Sequence, residues 1–297
     1  MGFKRIRREA LIEEKWNLCI ESNERYRLYA QLWFLDLVCV SGWDVLVWDD
    51  YRAVFPLPVS GKLGLSFLQN PNLLQQVDVY GSITLEEQLE LEHYITKTYK
   101  FIALSTFFKP ITFHKITKRT NLFLPVDDYL DSKPSSTLRN NLKRALKDKL
   151  TLQYESDYKN GLKFLKEYFH LTGHIPNTKE WLFYESIMRI ANQKKTGQFI
   201  FVMKEDVPIQ FSFWIIEKNT AYYLLNISNT EGRKSGASHF AIHQFIRENK
   251  NHIKLIDFEG SSIEGVKRFY KSFGAQEESY YLSKVNHLPF FLKWFKK

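Results

Sequence analysis

The chain has 297 residues, 44% hydrophobic and 25% charged, the ordinary balance of a globular protein with one large or two medium domains. Residues 1–15 are basic and then acidic without the apolar centre of a signal peptide, and the longest apolar run, 32–40, is broken by Asp36 and too short to cross a bilayer. Lys and Arg number 42 against 33 Asp and Glu, a formal charge of +9, and such a field favours anionic partners: phosphorylated cofactors, tRNA or a lipid surface.

Cys19 and Cys39 allow at most one disulfide and form no metal-type pair. Both read as small buried hydrophobes, and so few cysteines suit a reducing cytoplasm.

In chain order, residues 3–25 read as a helix with Leu11, Trp16, Leu18 and Cys19 near one face. Residues 28–40 fit a helix or a strand equally well. Residues 43–48 and 51–57 form a hairpin pattern around Asp49 and Asp50. Pro56 and Pro58 place the end of its second strand at a sheet edge or a bulge. A strand is expected over 73–80. Thr84, followed three residues on by Glu87, starts a capped helix that runs towards Tyr99. Strands follow at 101–106 and 121–125.

Around 129–149 the composition changes. Ser132-Lys133-Pro134-Ser135-Ser136 breaks the chain, and 137–149 is a basic helix carrying Arg139, Lys143, Arg144, Lys147 and Lys149. We place a domain boundary there. Beyond it come a strand at 150–154, helices at 159–171 and 179–193, and a second hairpin, 199–203 with 209–215, around Glu205 and Asp206. A strand at 221–227, a helix at 236–249, a strand at 253–259 and a closing strand at 276–285 complete the chain. The two hairpins with acidic turns lie half a chain apart and are followed by the same order of strands and helices. Repetition on this scale points to a duplicated domain rather than a solenoid, and helices between strands imply a mixed α/β sheet.

Chemistry concentrates in 253–275. An apolar strand ends at Asp257 and Glu259. Gly260, Ser261 and Ser262 interrupt it, and Val266, Phe269, Tyr270 and Phe273 then recur at helical spacing until Gly274. Open α/β sheets bind ligands outside the carboxyl ends of their strands. Only one of the two carboxylates is expected to point into a given pocket, and Glu259 is favoured. His239 and His243 have the i, i+4 spacing of a metal pair but no evident third ligand, so no metal is expected. The sequence carries neither a nucleophile elbow nor a P-loop.

Phe269-Tyr270-Lys271-Ser272-Phe273-Gly274-Ala275 resembles the short helix common to GNAT acyltransferases. Asp257-Phe258-Glu259-Gly260-Ser261 is similar to the Fem-type branch of that fold, which contains peptidoglycan peptidyltransferases and many uncharacterised bacterial acyltransferases. Residues 138–147 resemble the basic helix that opens the second half of Fem-type proteins. The resemblance implies two tandem GNAT-like α/β domains: residues 1–130, a linker and basic helix at 131–149, and residues 150–297. It also implies a pyrophosphate loop of the form Gln/Arg-x-x-Gly-x-Gly/Ala. Arg233, Lys234, Ser235, Gly236, Ala237 and Ser238 stand in its place, with Ser238 at the last small position. The equivalent stretch of the first half, 79–84, lacks the pattern.

The implied cofactor is acyl-CoA, such as acetyl-CoA, bound in the second half. Tyr270 then stands where many GNAT enzymes keep the acid that protonates the leaving thiolate, and Glu259, or Asp257, is the base or substrate-binding carboxylate. Three functions fit. One is an acyl-CoA-dependent N-acyltransferase acting on a small amine or peptide. Another is a Fem-type peptidyltransferase that uses aminoacyl-tRNA on a cell-wall precursor. The third is a double-domain binding protein without turnover. The aromatic, basic tail at 288–297 either docks on an anionic membrane surface, at the inner face of a membrane, or packs on the core.

Overall fold

A computed structural model describes residues 2–23, 27–62, 64–260 and 263–289. The chain divides into two compact units, Met1–Arg119 with Ser279–Lys297, and Thr120–Glu278.

The first unit carries β1 (Phe3–Arg7), α1 (Glu13–Glu21), α2 (Leu32–Val38), β2 (Asp44–Trp48), β3 (Ala53–Leu57), β4 (Val59–Lys62), β5 (Leu65–Gln69), β6 (Tyr80–Gly81), α3 (Leu85–Thr98) and β7 (Phe101–Thr106). One sheet has the order β1-β2-β3-β6. The single helix expected over 3–25 is therefore a strand followed by a shorter helix. Pairing of β1 with β2 and the contact of Phe3 with Trp48, ring centroids 5.1 Å apart, outweigh a local helical preference. The ambiguous run at 28–40 resolves largely into α2.

The β2–β3 hairpin forms as expected, with Trp48 opposite Ala53. Asp49 and Tyr51 take positive φ in its turn. Pro56 lies beyond Ala53 and Val54, the two β3 residues that pair with β6, so its missing N–H interrupts no ladder on that side. The strand expected over 73–80 shrinks to β6 and a lone bridge from Val77 to Thr106. Leu73, at φ +65°, turns the chain out of the extended region there.

The second unit carries β8 (Ile116–Pro125), α4 (Val126–Asp131), α5 (Ser136–Lys147), β9 (Thr151–Glu155), α6 (Tyr158–Tyr168), α7 (Thr178–Gln193), β10 (Gly197–Lys204), β11 (Val207–Glu217), β12 (Thr220–Ser228), α8 (Thr230–Ser235), α9 (Ala237–Asn249), β13 (Leu255–Asp257) and α10 (Glu264–Lys271). Its strands are ordered β8-β13-β12-β11-β10-β9, all antiparallel except β12 with β13. In the β10–β11 turn Glu205 and Asp206 both have positive φ, as a tight hairpin turn requires. Trp214, Ile242, Phe245, Ile256, Phe258 and Phe273 centre the core between this sheet and α5, α9 and α10.

The last strand, β14 (Gln276–Asn286), pairs with β7 and returns the chain to the first unit, whose other strand order is β4-β5-β7-β14. Two non-local pairings thus shift the division from the expected 131–149. Pro125 to Phe123 of β8 pair with Leu255 to Asp257 of β13, which draws residues from 120 onward into the second unit. The order β1-β2-β3-β6 of the first unit repeats as β9-β10-β11-β12 in the second, and α3–β7 repeats as α9–β13. The architecture is mixed α/β with an internal duplication. Leu288 packs on Phe67 and Phe101. The rest of the aromatic tail, 290–297, and the capping residues Ser261 and Ser262 lie outside the described residues. Among the described residues, no helix is long and apolar enough to cross a membrane.

Candidate active-site cleft

β12 and β13 pair over only three residues, Thr220–Tyr222 with Leu255–Asp257. β12 then runs on to Ser228, whereas the chain after Asp257 turns through Glu259 at φ +61° and Gly260 at φ +68°. On its other edge β12 carries a bulge. Phe213 opposes Leu225 and Trp214 opposes Tyr223, so Leu224 has no counterpart on β11. A bulge of this kind bends its strand and redirects side chains.

A cleft of about 700 Å³ opens where the strands part. Tyr223, Leu224, Asn226 and Ser228 of β12 form one wall, the start of α9 closes one end, and Val266, Phe269 and Tyr270 of α10 face it. Its described lining is polar towards Asn226, Ser228 and Ser238 and aromatic towards Phe269, Tyr270 and Tyr223. Arg233 is the one charged side chain in that lining.

The expected pyrophosphate loop is not a loop. Asn229 caps the short helix α8 through Gly232 N–H (2.8 Å), and Arg233, Lys234 and Ser235 lie in its last turn. Gly236 alone separates α8 from α9, at φ +74°. A Cβ there would stand 2.9 Å from both the Cβ and the carbonyl oxygen of Asn141 on α5, so only glycine fits without a shift.

Gly236 supplies no side chain to cap α9. The first N–H groups of a helix lack intrahelical partners, and the helix dipole places positive charge beside them. The Gly236 N–H is taken by the Gly232 carbonyl at the end of α8, but Ala237, Ser238 and His239 line the cleft, so the first donors of α9 border it. Ser238 Oγ contacts Ser228 Oγ (2.9 Å) and Asn226 (3.3 Å). Arg233 donates to the Leu171 carbonyl (2.8 Å) from an exposed position, and Lys234 is exposed. Ser235 does not belong to the cleft face: it is buried and donates to Asp148 (2.6 Å).

At the aromatic end Tyr270 stacks on Phe258, centroids 4.3 Å apart and planes within 14°. Burial, and secondarily the charge of Glu259, push its phenol above the ordinary range, so it stays protonated at neutral pH. The expectation that one of the two carboxylates, Glu259, points into the pocket has no counterpart in the described lining, and a turn parts the two residues. Residues two apart on a strand share a face, and it is the left-handed Glu259 that ends the alternation. Asp257 is wholly buried and accepts from Asn121 Nδ2 (3.2 Å) and from the Glu259 N–H (2.9 Å), so it holds the turn together. Glu259 is half-buried. Neither carboxylate is part of the described cleft lining.

Among the described residues no group of three potential metal ligands occurs. His239 and His243 have other partners. His239 packs against Phe269 and Phe273, which also touch each other, and burial pushes its pKa down to about 4. His243 Nδ1 contacts the Tyr129 hydroxyl at 2.5 Å, and burial, then the Arg247 charge, lower its pKa.

No family model and no curated protein matches the chain. Solved structures do. FemX superposes with a TM-score of 0.69 at 12% identity, over 99% of this chain and 100% of its own. The C-terminal domain of a putative lysylphosphatidylglycerol synthetase from Agrobacterium fabrum gives 0.58 at 11% identity, covering 92% and 91%. A tandem GNAT protein from the clavulanic acid biosynthesis pathway gives 0.57 at 8% identity, covering 97% and 99%. The fold is the tandem GNAT-like fold of the Fem type.

Within the second GNAT-like unit, sequence reasoning missed Tyr223, Leu224 and Asn226, and considered His239 only as half of a metal pair. The bulge at Leu224 has no sequence mark. The run Tyr222-Tyr223 signalled a strand without saying which tyrosine meets the cleft. Asn229, a residue type that favours helix N-caps, is the signal in the sequence that could have marked α8.

Proposed function

We propose that the chain is an N-acyltransferase whose second GNAT-like unit binds an acyl-CoA and passes the acyl group to an amine. The observation that carries this reading is the bare N-terminus of α9 opening on one cleft with a protonated phenol at the far end. The polar end fits a pyrophosphate, with backbone N–H groups and Arg233 as donors. The aromatic end fits the thioester. Acyl-CoA supplies an acyl group on a good leaving group. As the amine nitrogen bonds to the carbonyl carbon and the carbon–sulfur bond breaks, Tyr270 gives its proton to the departing sulfur. Glu259 lies outside the described lining but its charge reaches Tyr270, and it takes the amine proton through an intervening water.

A second reading has its own support. Arg139, Lys143, Arg144 and Lys147 are exposed on α5 and form no ion pair among the described residues. The same helix sets Asn141 against Gly236. A basic helix beside the cleft suits a polyanionic donor, an aminoacyl-tRNA, and FemX and the lysylphosphatidylglycerol synthetase domain are similar in fold.

Ligand-induced melting separates the two. CoA at about 100-fold over its Kd stabilises by roughly 2.7 kcal/mol on the first reading, and an aminoacyl-tRNA alone does so on the second. Ser238→Asp places a carboxylate at the α9 start. It gives up the hydroxyl contacts to Ser228 and Asn226, at about 1 kcal/mol, partly offset by the helix dipole, and abolishes the CoA shift. An undiminished CoA shift in this variant would remove the α9 start from the site.

A further inference from the structure

The hydroxyl of Tyr223 is the unexplained polar group of the cleft. Tyr223 is 3% exposed, and its oxygen is buried with no hydrogen-bond partner among the described residues. Buried hydroxyls are almost always paired, and an unpaired one is costly to the free protein. The ring packs on Trp214 (centroids 4.3 Å) and stands edge-on to Tyr270 (6.3 Å) and Phe258 (6.1 Å). Tyr223 also lines the cleft at its aromatic end, next to the bulged Leu224.

Resting on the acyl-CoA reading above, we infer that the Tyr223 hydroxyl donates a hydrogen bond to the acyl carbonyl oxygen of the bound thioester. Tyr270 is assigned to the thioester sulfur, and the carbonyl carbon is bonded to that sulfur, so the neighbouring phenol is placed for the oxygen. Tyr223 is thus a positioning and specificity residue: it selects the acyl-loaded donor over one without a carbonyl. When the amine adds, that oxygen gains negative charge and the bond strengthens.

The test uses the full chain with acetyl-CoA and S-ethyl-CoA, a thioether that lacks only the carbonyl oxygen, in calorimetric titrations of wild type and Tyr223→Phe. Wild type is expected to prefer acetyl-CoA by about threefold to tenfold, the worth of one hydrogen bond. In Tyr223→Phe the preference falls to about one while S-ethyl-CoA affinity and the ligand-free melting point hold, since no bond of the free protein is lost. A preference that persists in the variant overturns the inference and leaves the acyl-CoA reading intact. A variant that melts well below wild type also overturns it, because the hydroxyl is then structural. If wild type binds neither ligand, the acyl-CoA reading fails and takes the inference with it.

Discussion

Gly236→Ala probes the junction that orients the cleft. Gly236 sits at φ +74°, where a non-glycine residue costs roughly 1–2 kcal/mol. The new Cβ also meets Asn141 at 2.9 Å from both its Cβ and its carbonyl oxygen. Backbone cannot swing aside as the tip of a side chain can, so α5 and α9 must separate, an overpacking cost of about 1–3 kcal/mol. The sum is about 2–5 kcal/mol. For a domain of this size it lowers the melting point by roughly 4–20 °C. Gly173→Ala is the control, because Gly173 has φ +83° but nothing within 4 Å of its Cβ. It isolates the conformational part, about 1–2 kcal/mol. Urea titrations of both variants measure the difference, which belongs to the Asn141 contact. Equal destabilisation would show that α5 does not brace the α9 start.

Two further outcomes follow from the tyrosine and the histidine of the cleft. Tyr270→Phe removes a hydroxyl that bonds nothing among the described residues, so stability changes by no more than about 1 kcal/mol, while acetyl transfer to a panel of amines falls roughly 10²–10⁴-fold. Full activity in this variant would assign the proton to another group. His239 links stability to pH: the unfolded imidazole takes a proton near its ordinary 6.5, the folded one only near 4. Its contribution is therefore complete above pH 6.5 and is lost as pH falls towards 4, at up to about 1.4 kcal/mol per pH unit. His239→Phe should flatten that stretch of the stability profile relative to wild type, and an unchanged slope would place the titration elsewhere.

Local patterns were legible where local physics decides. Both acidic turns were readable because a hairpin needs residues that tolerate positive φ between alternating runs, and Asp49, Glu205 and Asp206 do adopt it. The Thr84–Glu87 capping box was readable because its two bonds lie within one turn, at 3.2 and 2.7 Å. What failed was non-local. Residues 3–7 carry three cations around Phe3 and Ile6, and only their pairing with β2 makes them a strand. The partners of β8 and β14 lie far along the chain, so the division into units could not be placed from composition. Tyr270 and Gly236, singled out from the family motif, both line the cleft. Ser235 was misplaced because a motif does not say which side of a helix turn faces the ligand.

The two halves of the duplication differ at the helix start to which the proposal assigns the pyrophosphate. In the first unit the helix ahead of β7 is closed: Thr84 caps Glu87 N–H, the Glu87 carboxylate returns to Thr84 N–H, and Arg52 pairs with Glu87 at 2.5 Å. Glu86 and Glu87 put negative charge in the first turn of α3. A phosphate approaching there meets carboxylates where it needs free donors. The corresponding helix of the second unit, α9, has no acid in its first turn and no side-chain cap. A cap of that kind is worth about 1 kcal/mol over alanine, and a glycine in its place gives up only a few tenths. Glycine is thus the one residue that leaves the donors open, accepts φ +74° and admits Asn141 at close range. A residue with a side chain long enough to cap α9 would occupy the donors proposed for the anion and push α5 away. The same position therefore fixes the packing of the basic helix and the openness of the cleft, and neither can be altered without the other.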